Sequence, residues 1–391
     1  MCLLPTDERL LSRALDLAGQ AIGLASPNPT VGCVIARNEV LIGEGAHHYD
    51  AFDHAEIVAL KQAAAHGEPT LGATAYVTLE PCSHHGRTGP CADALVAAGI
   101  ARCVVATVDP NPLVSGKGIA RLRAAEVDVL IADPGSMFAQ RARRLNDAFA
   151  FSIQHGRPLV TLKAALSVDG MLAPVPSLRS SIAPHWLTGE AARADVQQMR
   201  HAADAIVTGI GTVLADDPSL TDRTAMPRRR SLLRVILDSD LRTPLDAKLV
   251  ASAANDVLIV CAPQAPPERE ASLRACGVEV HRLSNHLDAS AVLAALHTRN
   301  IRSVLLEAGS AVNGSFLRAN LVDKLALYYS ESELGIHAIP FAQGFSSPYL
   351  LQQQLQHSER ATFPHGSAED IRIAGYLHDP WSGLENLKPK T

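Results

Sequence analysis

No stretch of this sequence approaches the roughly 18 consecutive apolar residues of a membrane-spanning helix, although 47% of the chain is hydrophobic. The opening residues, MCLLPTDERL, have no basic head leading into a long apolar run, so no targeting segment is read there and a cytoplasmic protein is expected. Cysteine is sparse and odd in number, seven in all and unevenly spread. That excludes a disulfide framework and makes any conspicuous pair a metal-binding or catalytic candidate. Extended runs of lysine or arginine are also missing, and with a net charge of −5 the chain lacks the footprint of a nucleic-acid binder.

What is present is ample apolar material for more than one core, and 391 residues are too many for one ordinary domain. In the first part, RLLSRALDLAGQAIGLA has helical spacing and VGCVIAR with EVLIGEGA reads as a strand pair. A helix from His54, a strand at ATAYVTL, a helix from about Pro90, a strand at ARCVVATV, a helix around GIARLRAA and a strand at VDVLIA follow. This alternation predicts a largely parallel sheet with helices on both faces. NDAFAFSIQHGRPL interrupts the pattern and places a boundary near Phe151 to His155. PLVTLKAAL, DAIVTGI, LRVILDS, DVLIVCA and RSVLLEAG then alternate with helices again, predicting a second α/β domain. We therefore expect domains over 1–152 and 153–380, a basic solvated loop at RTAMPRRRSL, and a frayed tail over 381–391 beginning WSGLENLKPKT.

Two motifs carry chemistry. HAEIVAL, residues 54–60, sets His54 and Glu56 two apart at a helix start, where an acid alone would merely complement the dipole. Downstream, LEPCSHHGRTGPC brings Cys82 to the end of a strand and Cys91 to the start of the next helix. One imidazole nitrogen and two thiolates suit zinc, and three protein ligands leave a fourth position for water, as in a catalytic site. Glu56 can then reach that water without ligating the ion, the arrangement of zinc deaminases. Eight residues separate the cysteines where two are usual, and His84 and His85 stand between them as competing ligands.

With SPNPTVGCVIA, HAE, TLEPCSHHGRTGPCADALVAAGI and DPNPLVSGKGIARLRAA, the first part resembles the deaminase half of the bifunctional riboflavin-biosynthesis deaminase/reductase family. With TLKAALSVDG, WLTGEAARADVQQMRHAADAIVTGIGTVLADDPSLTDR and LLEAGSAVNGSFLRANLVDKLALYY, the second resembles its reductase half. The resemblance implies a cytidine-deaminase-like three-layer domain followed by a dihydrofolate-reductase-like α/β domain. It implies zinc and NADPH as cofactors, a small phosphorylated pyrimidine as substrate, no nucleic-acid or membrane partner, and a homo-oligomer. It also favours His54, Cys82 and Cys91 as the metal ligands, with Glu56 catalytic. Asn28, His47, Arg87, Asp109 and Asn111 then match deaminase substrate positions, Arg87 suiting the phosphate and the last two the ribose side. Lys163, Arg200, Leu220, Arg223 and Glu307 match reductase substrate positions, where two arginines suit a phosphate tail. Trp186, Thr212, Asp216, Ser239, Gly309 and Gly314 match cofactor positions, the glycines in a strand-to-helix turn that exposes amides to phosphate.

One stretch departs from the family. After SVDG the chain runs MLAPVPSLRSSIAPHW, longer and richer in proline, with Pro184 where a substrate-contacting serine is expected. The cofactor contacts are thus expected to be more intact than the reductase substrate cradle, which leaves a deaminase with an impaired or regulatory second domain as the alternative. A nucleobase or transfer-RNA deaminase would share His54, Glu56 and Cys82, but the acidic charge and the second domain count against it. A zinc-stabilised module without activity would have no use for Glu56.

Overall fold

Period-two alternation builds the first sheet. In strand β1 (Gly32–Arg37), Cys33 and Ile35 face one apolar cluster while Val34 and Ala36 face another, so both faces must be covered. The computed structural model describes residues 3–84, 89–175, 186–345 and 347–382. It divides into one unit of residues 1–156 with 227–230 and 380–391, and a second of 157–226 with 231–379. Among the described residues no helix is long and apolar enough to cross a membrane.

In the first unit, β1, β2 (Val40–Ala46), β3 (Thr74–Val77), β4 (Arg102–Val105) and β5 (Asp128–Ile131) lie in the order β2-β1-β3-β4-β5. Helices α2 (Ala55–Ala65), α3 (Cys91–Ala97) and α4 (Lys117–Ala124) contribute to the cluster on one face. Helices α1 (Pro5–Gln20) and α5 (Met137–Leu145) contribute to that on the other. The sheet is three layers as expected but less parallel. Only the β3–β4 and β4–β5 pairings are parallel; β1 runs against both of its neighbours, β2 and β3, and Asn38 and Glu39, at φ 49° and 66°, reverse the chain between β1 and β2 in a tight hairpin.

Three further expectations need correction. The segment read as an interruption is helix α6 (Asp147–His155), whose Ala150 and Phe151 are buried and which ends at Gly156 with φ 64°. The basic loop is not simply solvated: Arg229 lies over the Tyr49 ring, 4.5 Å from its centroid, and donates through Nε to the Ser26 carbonyl at 3.1 Å. The tail begins anchored, since the buried Trp381 donates through Nε1 to Asp147 Oδ1 at 3.0 Å and Arg143 lies over its ring.

The strands of the second unit are β6 (Leu159–Leu166), β7 (Met171–Ala173), β8 (Ala205–Gly209), β9 (Leu233–Leu237), β10 (Val257–Cys261), β11 (Glu279–Arg282), β12 (Ser303–Leu306), β13 (Lys324–Tyr329), β14 (Ile339–Pro340), β15 (Gln356–His365) and β16 (Ala368–Tyr376). Its helices are α7 (Glu190–Ala202), α8 (Ile210–Asp216), α9 (Lys248–Ala251), α10 (Pro267–Ala275), α11 (Ala289–Thr298), α12 (Ser310–Arg318) and α13 (Pro348–Gln352). Among the described residues the large sheet runs β11-β10-β9-β8-β12-β6-β13-β16-β15. It is parallel from β11 to β13, after which a hairpin absent from the sequence reading, β15–β16, adds two antiparallel strands. On β6, Val160, Leu162, Ala164 and Leu166 belong to the main core. Alternation therefore turns Lys163 to the opposite face, where α7 packs on Tyr328.

Asp323 ties the start of this sheet together. Fully buried, it accepts both arms of the Arg157 guanidinium at 2.8 Å each, the Val160 amide at 2.9 Å and His378 Nδ1 at 3.0 Å. Asp323→Ala leaves these donors unmatched. Its expected cost is about 3–5 kcal/mol, which lowers the melting midpoint of this unit by roughly 6–20 °C in a calorimetric scan. An unchanged midpoint would contradict this account.

Candidate functional site

Helix α2 begins at an extended N-cap, His54, and has Glu56 in its first turn. Strand β3 delivers the chain through Pro81 to Cys82, and the Cys91 amide donates to Cys82 Sγ at 3.3 Å as α3 starts. His54 Nδ1 lies 3.5 Å from Cys82 Sγ and 3.2 Å from Cys91 Sγ, and the three donor atoms all fall within 4.8 Å of one another. A tetrahedral zinc with these ligands would separate them by about 3.4–3.8 Å, so the donor set fits that ion. His84 is exposed and outside this cluster, while His85 lies outside the described residues.

The electrostatics follow from burial and proximity. The thiols of Cys82 and Cys91 face each other, so Cys82, hydrogen-bonded by Cys91 and His54, is pushed well down while Cys91 is pushed up. Cys82 in turn raises His54. Glu56 is buried, and that burial pushes it up to about 7, into the range of a proton carrier at neutral pH.

His47 sits with its ring centroid 5.2 Å from that of His54, and burial pushes its pKa down. Its Nδ1 is 2.9 Å from the Asp53 carbonyl, which can only accept, so Nδ1 carries the proton of the neutral ring. Nε2 then accepts from Asn28 Nδ2 at 3.1 Å, which orients the Asn28 amide. Asp109 is buried and pushed up to about 7 by that burial; it accepts from the Asn111 amide at 2.8 Å. Asn111 Oδ1 is taken by the Leu113 amide. Arg87 lies outside the described residues.

Other groups gather in the second unit. Arg200, on α7, forks onto Glu307 with contacts of 2.7 and 2.9 Å and donates a third bond to the Thr221 carbonyl. Lys163 Nζ stands 3.9 Å from the same carboxylate and 5.7 Å from the Tyr328 ring centroid. Burial acts against the charge, yet Arg200 and Lys163 hold Glu307 below the ordinary carboxylate range. The Arg200 fork is thus seated on Glu307. Leu220 is buried at φ 54°, just before Thr221, and the Arg223 amide donates to Gln197.

Gly309 caps α12, and a Cβ built on it would lie 3.6 Å from Thr212 Oγ1, so these two are brought together. Gly314 is not part of that turn. It lies inside α12, where a Cβ would be 2.3 Å from the Gln343 carbonyl, and its smallness serves helix packing. Asp216 is exposed at the end of α8, Ser239 follows β9, and Trp186 is exposed under the Arg193 guanidinium. Pro184 lies outside the described residues. The sequence reading missed Glu80, whose buried carboxylate collects backbone amides. Its position directly before Pro-Cys was the one available signal.

These features define a zinc-deaminase-type domain joined to an α/β reductase-type domain, and comparison with known proteins agrees. Residues 4–107 match the cytidine and deoxycytidylate deaminase zinc-binding region, and residues 158–362 match the RibD C-terminal domain. The riboflavin biosynthesis protein RibD of Actinobacillus pleuropneumoniae is 40% identical over 84% of this chain and 85% of its own, and that of Synechocystis is 36% identical over 95% and 96%. The solved structure of Acinetobacter baumannii RibD is similar with a TM-score of 0.77 at 36% identity, covering 95% of this chain and 98% of that one. The chain belongs to the bifunctional riboflavin-biosynthesis deaminase/reductase family, with a deaminase domain followed by a pyrimidine reductase domain.

Because Cys82 is lowered and only partly buried, its thiolate forms at a pH where ordinary thiols are protonated. After treatment with a chelator, iodoacetamide at pH 6 is expected to label Cys82 before the exposed Cys276, as read by peptide mass spectrometry. Labelling of Cys276 first would refute this assignment.

Proposed function

We propose that the first unit holds one zinc ion on His54, Cys82 and Cys91. There it hydrolyses the exocyclic amine of a diaminohydroxypyrimidine bearing a ribosylamino phosphate, and the second unit reduces the ribosyl group to a ribityl chain with NADPH. The observation that carries this reading is the convergence of one nitrogen and two sulfur donors beside a buried carboxylate, Glu56, that is not among them. Its substrate is the one named for the Thermotoga maritima relative, a diaminohydroxyphosphoribosylaminopyrimidine deaminase and 5-amino-6-(5-phosphoribosylamino)uracil reductase that is 30% identical with a TM-score of 0.78.

Zinc, when bound, supplies an activated water. Glu56 does the proton work, taking a proton from water and passing it to the departing ammonia, so that one water is consumed and C–NH2 becomes C=O. The neutral His47 holds the Asn28 amide by its nitrogen, which leaves Asn28 Oδ1 to accept from the pyrimidine. Asp109 and Asn111 serve the ribose side, and Arg87 the phosphate.

In the second unit, NADPH when bound supplies the hydride. Among the described residues Ser310 Oγ, buried at the first turn of α12, has no hydrogen-bond partner, and a phosphate at that helix start would satisfy it. Gly309, Thr212, Asp216, Ser239 and Trp186 form the cofactor side. Lys163, Arg200, Leu220, Arg223 and Glu307 form the substrate side, where the two arginines suit the phosphate tail. Reduction at the carbon attached to nitrogen would open the ring, and the departing ring oxygen takes a proton that the largely buried Lys163 ammonium, held beside the ionised Glu307, is able to supply. The same reading gives a small phosphorylated pyrimidine as partner, a homo-oligomer, and a cytoplasmic setting in which free cysteines stay reduced.

Purified protein is expected to contain about one zinc per chain. Cys82→Ser and Cys91→Ser should lose metal and ammonia release together, and full zinc retention in both would sink the ligand assignment. Glu56→Gln should keep zinc yet slow ammonia release by at least ~100-fold, while NADPH oxidation on already deaminated substrate persists. For the second unit, titration of the full chain is expected to show tighter binding of NADPH than of NADH, with turnover on deaminated substrate. Tight binding without turnover at saturating substrate would instead mean a regulatory or impaired reductase.

A further inference from the structure

The carboxylate of Glu80 is buried, 3% exposed, and lies just beyond the end of β3, separated from Cys82 by Pro81 alone. Among the described residues no side-chain cation pairs with it. Instead it accepts backbone N–H groups from one loop: Gly118 at 2.9 Å and Ile119 at 3.2 Å on Oε1, and Gly116 at 2.9 Å and Asp109 at 3.2 Å on Oε2. Those four amides bracket residues 109–119, the loop from β4 into the first turn of α4, which holds Asp109 and Asn111. Packing gives a second, independent sign of the same closeness. A Cβ built on Gly118 would lie 1.8 Å from the Pro81 carbonyl, so only glycine lets this loop reach the metal-ligand turn.

We infer that Glu80 is a positioning residue that clamps the 109–119 loop to the Cys82 turn, fixing the ribose side of the deaminase site at a set distance from its metal ligands. This rests on the reading above that Asp109 and Asn111 face the substrate. Glutamine in place of Glu80 keeps the shape but replaces one acceptor oxygen by an NH2 group, which confronts two backbone donors with a third. The loop then shifts while the cysteine and histidine ligands stay.

The test compares the full chain with Glu80→Gln, Glu80→Asp and Asn111→Ala variants. The measurements are zinc content, ammonia release over a range of ribosylaminopyrimidine phosphate, and amide hydrogen exchange. Glu80→Gln is expected to raise the deaminase KM about tenfold with kcat within about threefold. Zinc should be retained, with faster exchange confined to Asp109, Gly116, Gly118 and Ile119. Glu80→Asp, which keeps the charge one methylene short, should fall between it and wild type, and it carries the test if the glutamine variant does not fold. A KM within twofold of wild type in the folded Glu80 variants overturns the clamp. So does a loss of zinc, kcat and melting midpoint in step, which marks a merely structural carboxylate. Asn111→Ala separates the two ideas. A raised KM there with normal Glu80 variants leaves the substrate reading standing and removes the clamp. A normal KM there with raised Glu80 values removes the Asn111 assignment and leaves the clamp.

Discussion

A carboxylate withdrawn from water must have its lone pairs met by donors, or it costs several kcal/mol. Much of this molecule is arranged around that requirement. Glu80 meets it with backbone amides alone, Asp323 with a forked arginine, an amide and a histidine, and Glu307 with a forked arginine and a nearby lysine. Each solution fixes something different. Amides fix a loop, the Asp323 set fixes the entry into the sheet, and the Arg200 fork fixes a charged pair on the face covered by α7. Glu56 is an exception. Its own amide and the Cys91 thiol offset its burial only in part, so it is pushed up to about 7, as Asp109 is, and can change protonation state near neutral pH.

Both candidate sites lie where parallel strands end. Strand β3 runs out toward Glu80 and Cys82, and β4 toward Asp109; in the second unit β12 leads to Glu307 and Gly309, β8 to Thr212 and β9 to Ser239. Parallel strands deliver their carboxyl ends, and the helix starts that follow, to one edge of a sheet. Unpaired amides and short polar loops collect there without any strain on the core. The chemistry is therefore carried by segments whose sequence is free of the alternation that the strands must keep. This is why HAE and EPC stand out against the apolar runs beside them.

That contrast also governs how much could be read without coordinates. The two α/β units and most of their strands were legible because burial on both faces imposes long apolar runs, and the His-x-Glu and Pro-Cys motifs because their side chains do the work. The β15–β16 hairpin was not legible, since the exposed outer strand QHSERATFPH has one side on solvent and no apolar run. Helix α6 was read as a break because its buried stripe is only a few residues wide. Glu80 escaped for a deeper reason: its partners are backbone amides 29 to 39 positions away, and an amide has no letter of its own. For Arg200 the sequence showed a charge but not that Glu307 already holds it. Gly314 was read as part of the phosphate-binding turn, and only the structure places it inside α12 against the Gln343 carbonyl.

The first unit is discontinuous along the chain: Arg229 rests on Tyr49 and Ser26, and Trp381 on Asp147. A ribosome adding ~5–20 residues per second makes Trp381 on the order of 10–45 s after α6 is complete. During that interval the deaminase half must exist with the Trp381 seat beside Asp147 still unfilled. Its sheet and its cysteine-histidine cluster can form early, from a single continuous segment. The final closure of its surface waits for the reductase half to be synthesised, so the order of translation makes completion of the first domain a late event in the birth of the whole chain.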